Sequence, residues 1–329
     1  MKIFQKRRIW VIPIAIILVP VLVVLIVGQF TPVLTAWLFK PLIGSTTFTA
    51  PPNFEAIQEN VVVKKNIPYN EHGTLLDIYY PKNVDPPMPV IMWIHGGGFI
   101  GASKEQTQVY GMTLANAGYV VANINYDLAP AHKYPTPVLE ANQALKYLRE
   151  NVSQYGGDIN RLFLGSNSSG SQISSQVASL ISNPEFAQTM GFQPAVTNKQ
   201  LKGVLLYDGA YDMQTVRATH LPGLGLFLWS YTGVRNFESY NRIDELSTVN
   251  HVTRDYPPVF LTVGDADPLE PQSLEFIQVL ENNGVEEKSL LFTDTGAHLG
   301  HDYMMDLDTK PAQRTLEKVL DFLQRHSRP

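Results

Sequence analysis

From about residue 60 onward, short continuous apolar runs recur between stretches of helical pattern. They are PVIMWIHG (89–96), YVVANINYDLAP (119–130), RLFLG (161–165), KGVLLYDG (202–209), PVFLTVGD (258–265) and KSLLFTD (288–294). A strand with one wet face alternates apolar and polar residues. Runs apolar on every position suit strands covered on both faces, which is the condition of a mostly parallel sheet. The covering helices are predicted near 136–151, 171–182, 271–283 and 311–326. VVVKKNIPY and TLLDIYYP, joined through NEHG, predict an antiparallel opening hairpin. Residues 210–250 break the alternation and read as an insertion over the sheet. Its Leu224, Leu226, Phe227, Leu228, Trp229 and Tyr231 either line a pocket or cap the core.

Ahead of this body, the basic segment MKIFQKRR (1–8) precedes IWVIPIAIILVPVLVVLIVG (9–28), which holds no charge. At ~1.5 Å per residue that run is ~30 Å long, the thickness of a bilayer's hydrocarbon core. Pro13 and Pro20 would break a soluble helix but are tolerated in a membrane one. The run exceeds the ~7–15 apolar residues of a cleaved signal peptide, and LTA before Trp37 is a poor cleavage site. An uncleaved transmembrane signal-anchor is therefore expected over 9–28. The positive-inside rule puts residues 1–8 in the cytoplasm and the body outside it, at the cell membrane. Residues 29–59 read as an interfacial segment and linker, with Trp37 and Lys40 among apolar neighbours, and 60–329 as the folded domain.

The first fifty residues carry five basic and no acidic side chains, so the net charge of −5 leaves −10 on the remainder. That acidic body argues against nucleic-acid binding, which needs a basic face to neutralise phosphates. The chain has no cysteine, which excludes disulfides, thiolate metal sites and thiol nucleophiles. The sequence specifies no oligomeric state.

Two glycine-rich turns carry the chemistry. HGGGF (95–99) follows a buried strand, and its glycines let backbone N–H groups face a ligand. LFLGSNSSGSQ (162–172) places three serines after another strand. A nucleophile on a tight strand-to-helix turn needs small residues two positions to either side. Centring on Ser168 gives Ser166 and Gly170 at those places. Centring on Ser166 or Ser169 puts Leu164 or Asn167 there. A serine hydroxyl needs a base, and the base an orienting carboxylate, in the chain order Ser, acid, His. Asp265, Asp267 and Glu270 follow a later strand, and His298 and His301 lie in the last loop.

With these residues in place the chain resembles the hormone-sensitive-lipase-like carboxylesterases of the α/β-hydrolase fold. The resemblance covers about residues 68–325, through HGGGF, YDLAPAHKYP (126–135), YGGDINRLFLGSNSSGS (155–171), YPPVFLTVGDADPL (256–269) and HDY (301–303). It implies a mostly parallel central sheet flanked by helices, here preceded by the N-terminal transmembrane helix. It implies Ser168 as nucleophile, Asp267 as acid and His301 as base, with Tyr303 as the aromatic that follows the base. Gly97, Gly98 and Ser169 would supply oxyanion N–H groups. The implied reaction is acyl transfer from a small or lipid-like ester of short acyl chain, without metal or organic cofactor. Asp127, Ala131, Ser166 and Asn167 stand where the family usually has Arg, Glu, Gly and Asp. The rival readings are a silent scaffold of the same fold that binds a ligand or partner, and a deacetylase, amidase or peptidase.

Overall fold

The computed structural model describes residues 24, 26–83, 85, 87–292 and 295–328. Helices α1 (Val33–Gly44) and α2 (Phe54–Asn60) lead into the hairpin β1 (Val61–Pro68) and β2 (Leu75–Pro81). Then follow β3 (Met88–Ile94), α3 (Gln108–Asn116), β4 (Val120–Ile124), α4 (Thr136–Asn151), β5 (Gly157–Asn167) and α5 (Ser169–Ser182). Next come α6 (Pro184–Thr189), β6 (Leu201–Tyr207), α7 (Leu224–Thr232) and α8 (Ile243–Leu246). The chain closes with β7 (Val259–Val263), α9 (Glu270–Asn282), β8 (Glu287–Leu291) and α10 (Lys310–His326).

The eight strands form one sheet in the order β1-β2-β4-β3-β5-β6-β7-β8. The two pairings of β2 are antiparallel, and β4 through β8 pair in parallel. Successive side chains on a strand point to opposite faces, and both faces are buried, as the continuous apolar runs predict. Val90, Met92, Leu162, Leu164, Val204 and Leu206 pack against α4 and α5 on one face. Ile91, Trp93, Phe163 and Leu205 pack against α3 and α10 on the other.

Helix α3 is not foreshadowed by the sequence pattern. Six consecutive residues of QVYGMTLAN, Tyr110 to Ala115, are buried and cover every side of the helix, so it carries no polar stripe to reveal the helical period. The expected linker also contains structure. Ile57 of α2 is buried in the core, and Thr49 is tied to the C-terminal loop, its N–H donating to Asp306 (2.9 Å) and its C=O accepting from Leu307 N–H (3.0 Å). Strand β8 stops at Leu291, short of the predicted 294, and residues 293–294 lie outside the described residues. Among the described residues no helix is long and apolar enough to cross a membrane. The span expected over 9–28 falls outside the described residues except for residues 24 and 26–28, as do the basic residues 1–8.

One buried ion pair ties the first glycine turn to the sheet. Lys104, a few residues past HGGGF, donates to Asp77 of β2 at 2.9 Å, and both side chains are buried. Asp77 also accepts from Asn66 N–H and from the Tyr79 hydroxyl. Lys104→Ala would strand a buried carboxylate, and such a loss costs ~3–5 kcal/mol. Chemical denaturation is expected to show that drop, whereas a loss under 1 kcal/mol would mean the carboxylate finds water.

Candidate active site

Strand β5 ends at Asn167 and α5 starts at Ser169, so Ser168 alone makes the turn, with φ 54° and ψ −125°. A non-glycine residue held there stores ~1–3 kcal/mol of strain and needs surroundings that fix it. Ser168 N–H donates to Tyr207 C=O on β6 at 2.8 Å, and Ser168 C=O accepts from Ser171 N–H at 2.9 Å. Helix α5 crosses the end of β3 so closely that a Cβ on Gly170 would lie 2.2 Å from Ile94 O. Ser166 fits where a smaller residue is usual. It is fully buried, donates its hydroxyl to Leu205 C=O at 3.2 Å, and lies 3.2 Å from Ser171 Oγ.

The last loop brings His301 to this turn. Its Nε2 lies 2.8 Å from Ser168 Oγ, and its Nδ1 lies 2.7 Å from Asp267 Oδ2. Asp267 is 4 % exposed, and its other oxygen accepts from Leu269 N–H at 2.8 Å. Tyr303 anchors the loop from beneath, with its hydroxyl between Thr262 Oγ1 (2.6 Å) and Thr315 Oγ1 (2.9 Å). The structure therefore brings Ser168, His301 and Asp267 together. It does not bring in Asp265, whose carboxylate accepts the N–H groups of Ala297, His298 and Leu299 and so shapes the loop. His298 is exposed on that loop, and Glu270 opens α9.

The HGGGF turn faces the same spot. Gly97 and Gly98 have φ of 106° and 59°, left-handed values that turn the peptide planes as a larger residue could not without strain. Ser169 joins this turn through its side chain as well, accepting from Phe99 N–H at 3.3 Å. Asn167 bridges the turn to the last loop: its Oδ1 accepts from Gly96 N–H (3.2 Å) and its Nδ2 donates to Asp302 Oδ1 (2.9 Å). His95 is no base here. It is buried, stacks on Tyr126, and burial holds it down to about 4, so it stays neutral.

A family model described as BD-FAE matches residues 76–280, from β2 through α9. The chain belongs to the BD-FAE family, among the α/β-hydrolase carboxylesterases. The matched BD-FAE region contains the glycine turn, Ser168 and Asp267, and His301 lies beyond it. Esterase LipQ of Mycobacterium tuberculosis (strain ATCC 25618 / H37Rv) is 27% identical over 269 residues, 78% of this chain and 61% of that protein. The isoprenylcysteine alpha-carbonyl methylesterase ICME of Arabidopsis thaliana is 28% identical over 239 residues, 70% of this chain and 55% of that one. The BD-FAE chain thus spans little more than half the length of these two relatives. Esterase B from Lactobacillus Rhamnosis superposes with a TM-score of 0.73 at 22% identity, over 84% of this chain and 90% of that one. At that identity the likeness is one of fold, the α/β-hydrolase fold.

Two carboxyl groups that the sequence pattern did not single out surround the pair. Asp208, at the end of β6, is fully buried and accepts Asp302 N–H at 2.8 Å. Burial, reinforced by the charge of Asp267, pushes it well above the carboxylate range. Among the described residues its Oδ1 meets no hydrogen-bond partner. Burial also opposes the charge on Asp267, but the hydrogen bond and positive charge of His301 outweigh it and keep Asp267 below its ordinary value. For His301, burial opposes protonation, while the charge of Asp302 and the hydrogen bond to Asp267 more than offset it and raise the imidazole above its ordinary range. Asp208, Asp267 and His301 each bring one potential ligand atom within 4.8 Å of the others. The 2.7 Å contact between Asp267 and His301 is shorter than two separate ligands of one ion at ~2 Å allow.

The raised imidazole has a consequence for pH. Only neutral His301 accepts a proton, and a group raised in the folded protein reaches that state only as pH climbs through its shifted value. The acidic limb of kcat/KM is expected above the ordinary imidazole range. Asp302→Asn keeps a residue that tolerates the φ of 61° at this position and removes the charge, so the limb should move to lower pH. A limb unmoved in this variant would show that Asp302 does not tune His301.

A cavity of about 420 Å³ opens over Ser168. Its walls are mostly apolar: Leu221, Pro222, Leu224, Phe227 and Leu228 from the insertion, and Leu269 after β7. Both sequence readings of the insertion hold for different residues. Leu224, Phe227 and Leu228 line the cavity, whereas Tyr231 is buried and stacks on Phe99 at 3.9 Å as part of the core. Ile43 at the end of α1, with Thr46 and Phe48 just after it, completes one wall.

Proposed function

We propose that this chain hydrolyses carboxylic esters by acyl transfer through Ser168, with His301 as base, Asp267 as its orienting carboxylate, and the N–H groups of Gly97, Gly98 and Ser169 as the oxyanion hole. The observation that carries this reading is the unbroken chain from Ser168 Oγ through His301 to Asp267 at the floor of an apolar cavity. His301 Nε2 takes the hydroxyl proton as Ser168 Oγ bonds to the ester carbonyl carbon. The carbonyl oxygen becomes an anion facing the glycine turn, where each donor is worth ~3–4 kcal/mol. Collapse of this intermediate breaks the bond to the alcohol, which leaves with the proton from His301. Water, deprotonated by the same imidazole, then attacks the acyl-enzyme, and as the acyl–oxygen bond breaks His301 returns that proton to Ser168 Oγ and the acid leaves.

The cavity stands at the small end of the ~300–1,000 Å³ usual for ligand pockets, which favours short acyl groups. The names of LipQ and ICME, both esterases, support the ester reading. The uncharged run at 9–28 behind a basic segment supports a single-pass signal-anchor with the catalytic body extracytoplasmic. Alkaline carbonate is then expected to leave the chain in the membrane pellet.

The functional test is a p-nitrophenyl ester series of increasing acyl length, beside the p-nitroanilides, on the full chain in detergent. Turnover of acetate and butyrate esters above longer ones supports the proposal. Turnover of the anilides alone would assign an amidase, and no turnover at any length would favour a binding scaffold.

A further inference from the structure

We infer that the cavity opens beside the bilayer surface and takes esters dissolved in the membrane, with α1 as the element that seats its rim on the lipid. This rests on the esterase and anchor readings above and adds where the substrate comes from.

Helix α1 has two sides. Inward, it packs against α7, whose Leu224, Phe227 and Leu228 line the cavity. At its end, Ile43 presses on Gly101, where an added Cβ would stand 2.8 Å from the Ile43 side chain. Gln106 Nε2 donates to the Ile43 and Thr46 carbonyls at 2.9 and 3.0 Å, pinning this segment to the wall. Outward, the segment exposes large apolar side chains: Phe30 is 82 % exposed, Trp37 68 % and Leu42 67 %, with Val33, Leu38 and Phe39 about half exposed. Residues spaced three and four apart share a helix face, so Val33 and Trp37 stand together, as do Leu38 and Leu42.

Such a contiguous apolar face on a soluble body marks an interaction surface. What precedes it in the chain indicates the occupant. The uncharged run at 9–28 ends four residues before α1 begins, so a segment of membrane-spanning length delivers α1 at the level of the headgroups. Trp37 and Lys40 are the residue types that settle there, an aromatic ring at the interface and a cation that reaches out of it. The cavity wall built by Ile43, Thr46 and Phe48 then lies at the lipid surface. An ester partitioned into the bilayer reaches Ser168 without crossing water.

The test uses the full chain in phosphatidylcholine vesicles and two esters with the same acyl group, p-nitrophenyl acetate in water and hexadecyl acetate in the bilayer. In the triple variant Phe30→Gln, Trp37→Gln, Leu42→Gln, p-nitrophenyl acetate turnover should stay within about twofold while hexadecyl acetate turnover falls about tenfold or more, since only access from lipid depends on that face. Equal turnover of hexadecyl acetate by variant and unmutated chain would overturn the inference. So would parallel loss of both esters, which would make α1 a support of the fold. Failure of the unmutated chain on both esters would instead overturn the esterase reading. The chain has no cysteine, so Leu42→Cys carries a single environment-sensitive dye, expected to shift to the blue in vesicles. An interchain disulfide at that cysteine would overturn the lipid contact by assigning the face to a second copy.

Discussion

Ser168→Ala is expected to lower kcat/KM on a short-acyl ester by about 10⁶-fold, the scale seen when the nucleophile of a hydrolytic triad is removed. The loss is this large because every later step needs the acyl-enzyme. What remains is whatever the glycine turn and cavity give to attack by water. The neighbouring serines calibrate the result. Ser166→Ala removes a buried hydroxyl bonded to Leu205 C=O, which costs ~1–3 kcal/mol of stability but takes away no reacting group. Its kcat/KM should stay within about tenfold of the unmutated chain, on the same reasoning. If Ser166→Ala were as inactive as Ser168→Ala, the turn's geometry rather than one hydroxyl would be the source of the loss.

Asp267→Asn should cost about 10⁴-fold, although it changes the shape of the side chain by almost nothing. Asp267 Oδ2 accepts from His301 Nδ1, which fixes the proton on that nitrogen and leaves Nε2 free to take one from Ser168. An amide that turns its NH₂ toward the ring reverses this, so that Nε2 carries the proton and faces Ser168 with no lone pair. Thermal unfolding should move little, because the packing around Asp267 is kept. A variant retaining a tenth of the activity would imply that another carboxyl beside the pair, such as buried Asp208, takes over the orienting role.

Much of this site is legible in the sequence because its parts are punctuated by glycine and by strand ends. HGGGF, the three serines, DADPL and HDY each follow an apolar run, and a parallel sheet carries the ends of its strands to one edge. Ser168 was separable from Ser166 and Ser169 by the need for small flanks, which Gly170 meets through its contact with Ile94 O. His301 differs from His298 in the aromatic Tyr303 two residues on, and that ring is buried beneath the loop.

The unread parts act through neighbours distant in the chain. Asp208 ends a strand like any other acid. Its importance comes from burial beside Asp267, which depends on β6 pairing with β7. Asp302 and Asn167 stand 135 positions apart, and only the folded loops let one bond the other. Helix α3 was invisible because burial on all sides erases the helical period. The place of Ile43 in the cavity wall needed α1 folded back onto α7.

The proposed chemistry turns on one covalent bond, between Ser168 Oγ and the acyl carbon. A fluorophosphonate that mimics the tetrahedral intermediate should trap that oxygen in the full chain. Mass mapping of the peptides is expected to find a single adduct on Ser168, formed in step with the loss of ester hydrolysis and absent in His301→Ala. An adduct on Ser166 or Ser169, or hydrolysis that survives complete labelling of Ser168, would contradict it.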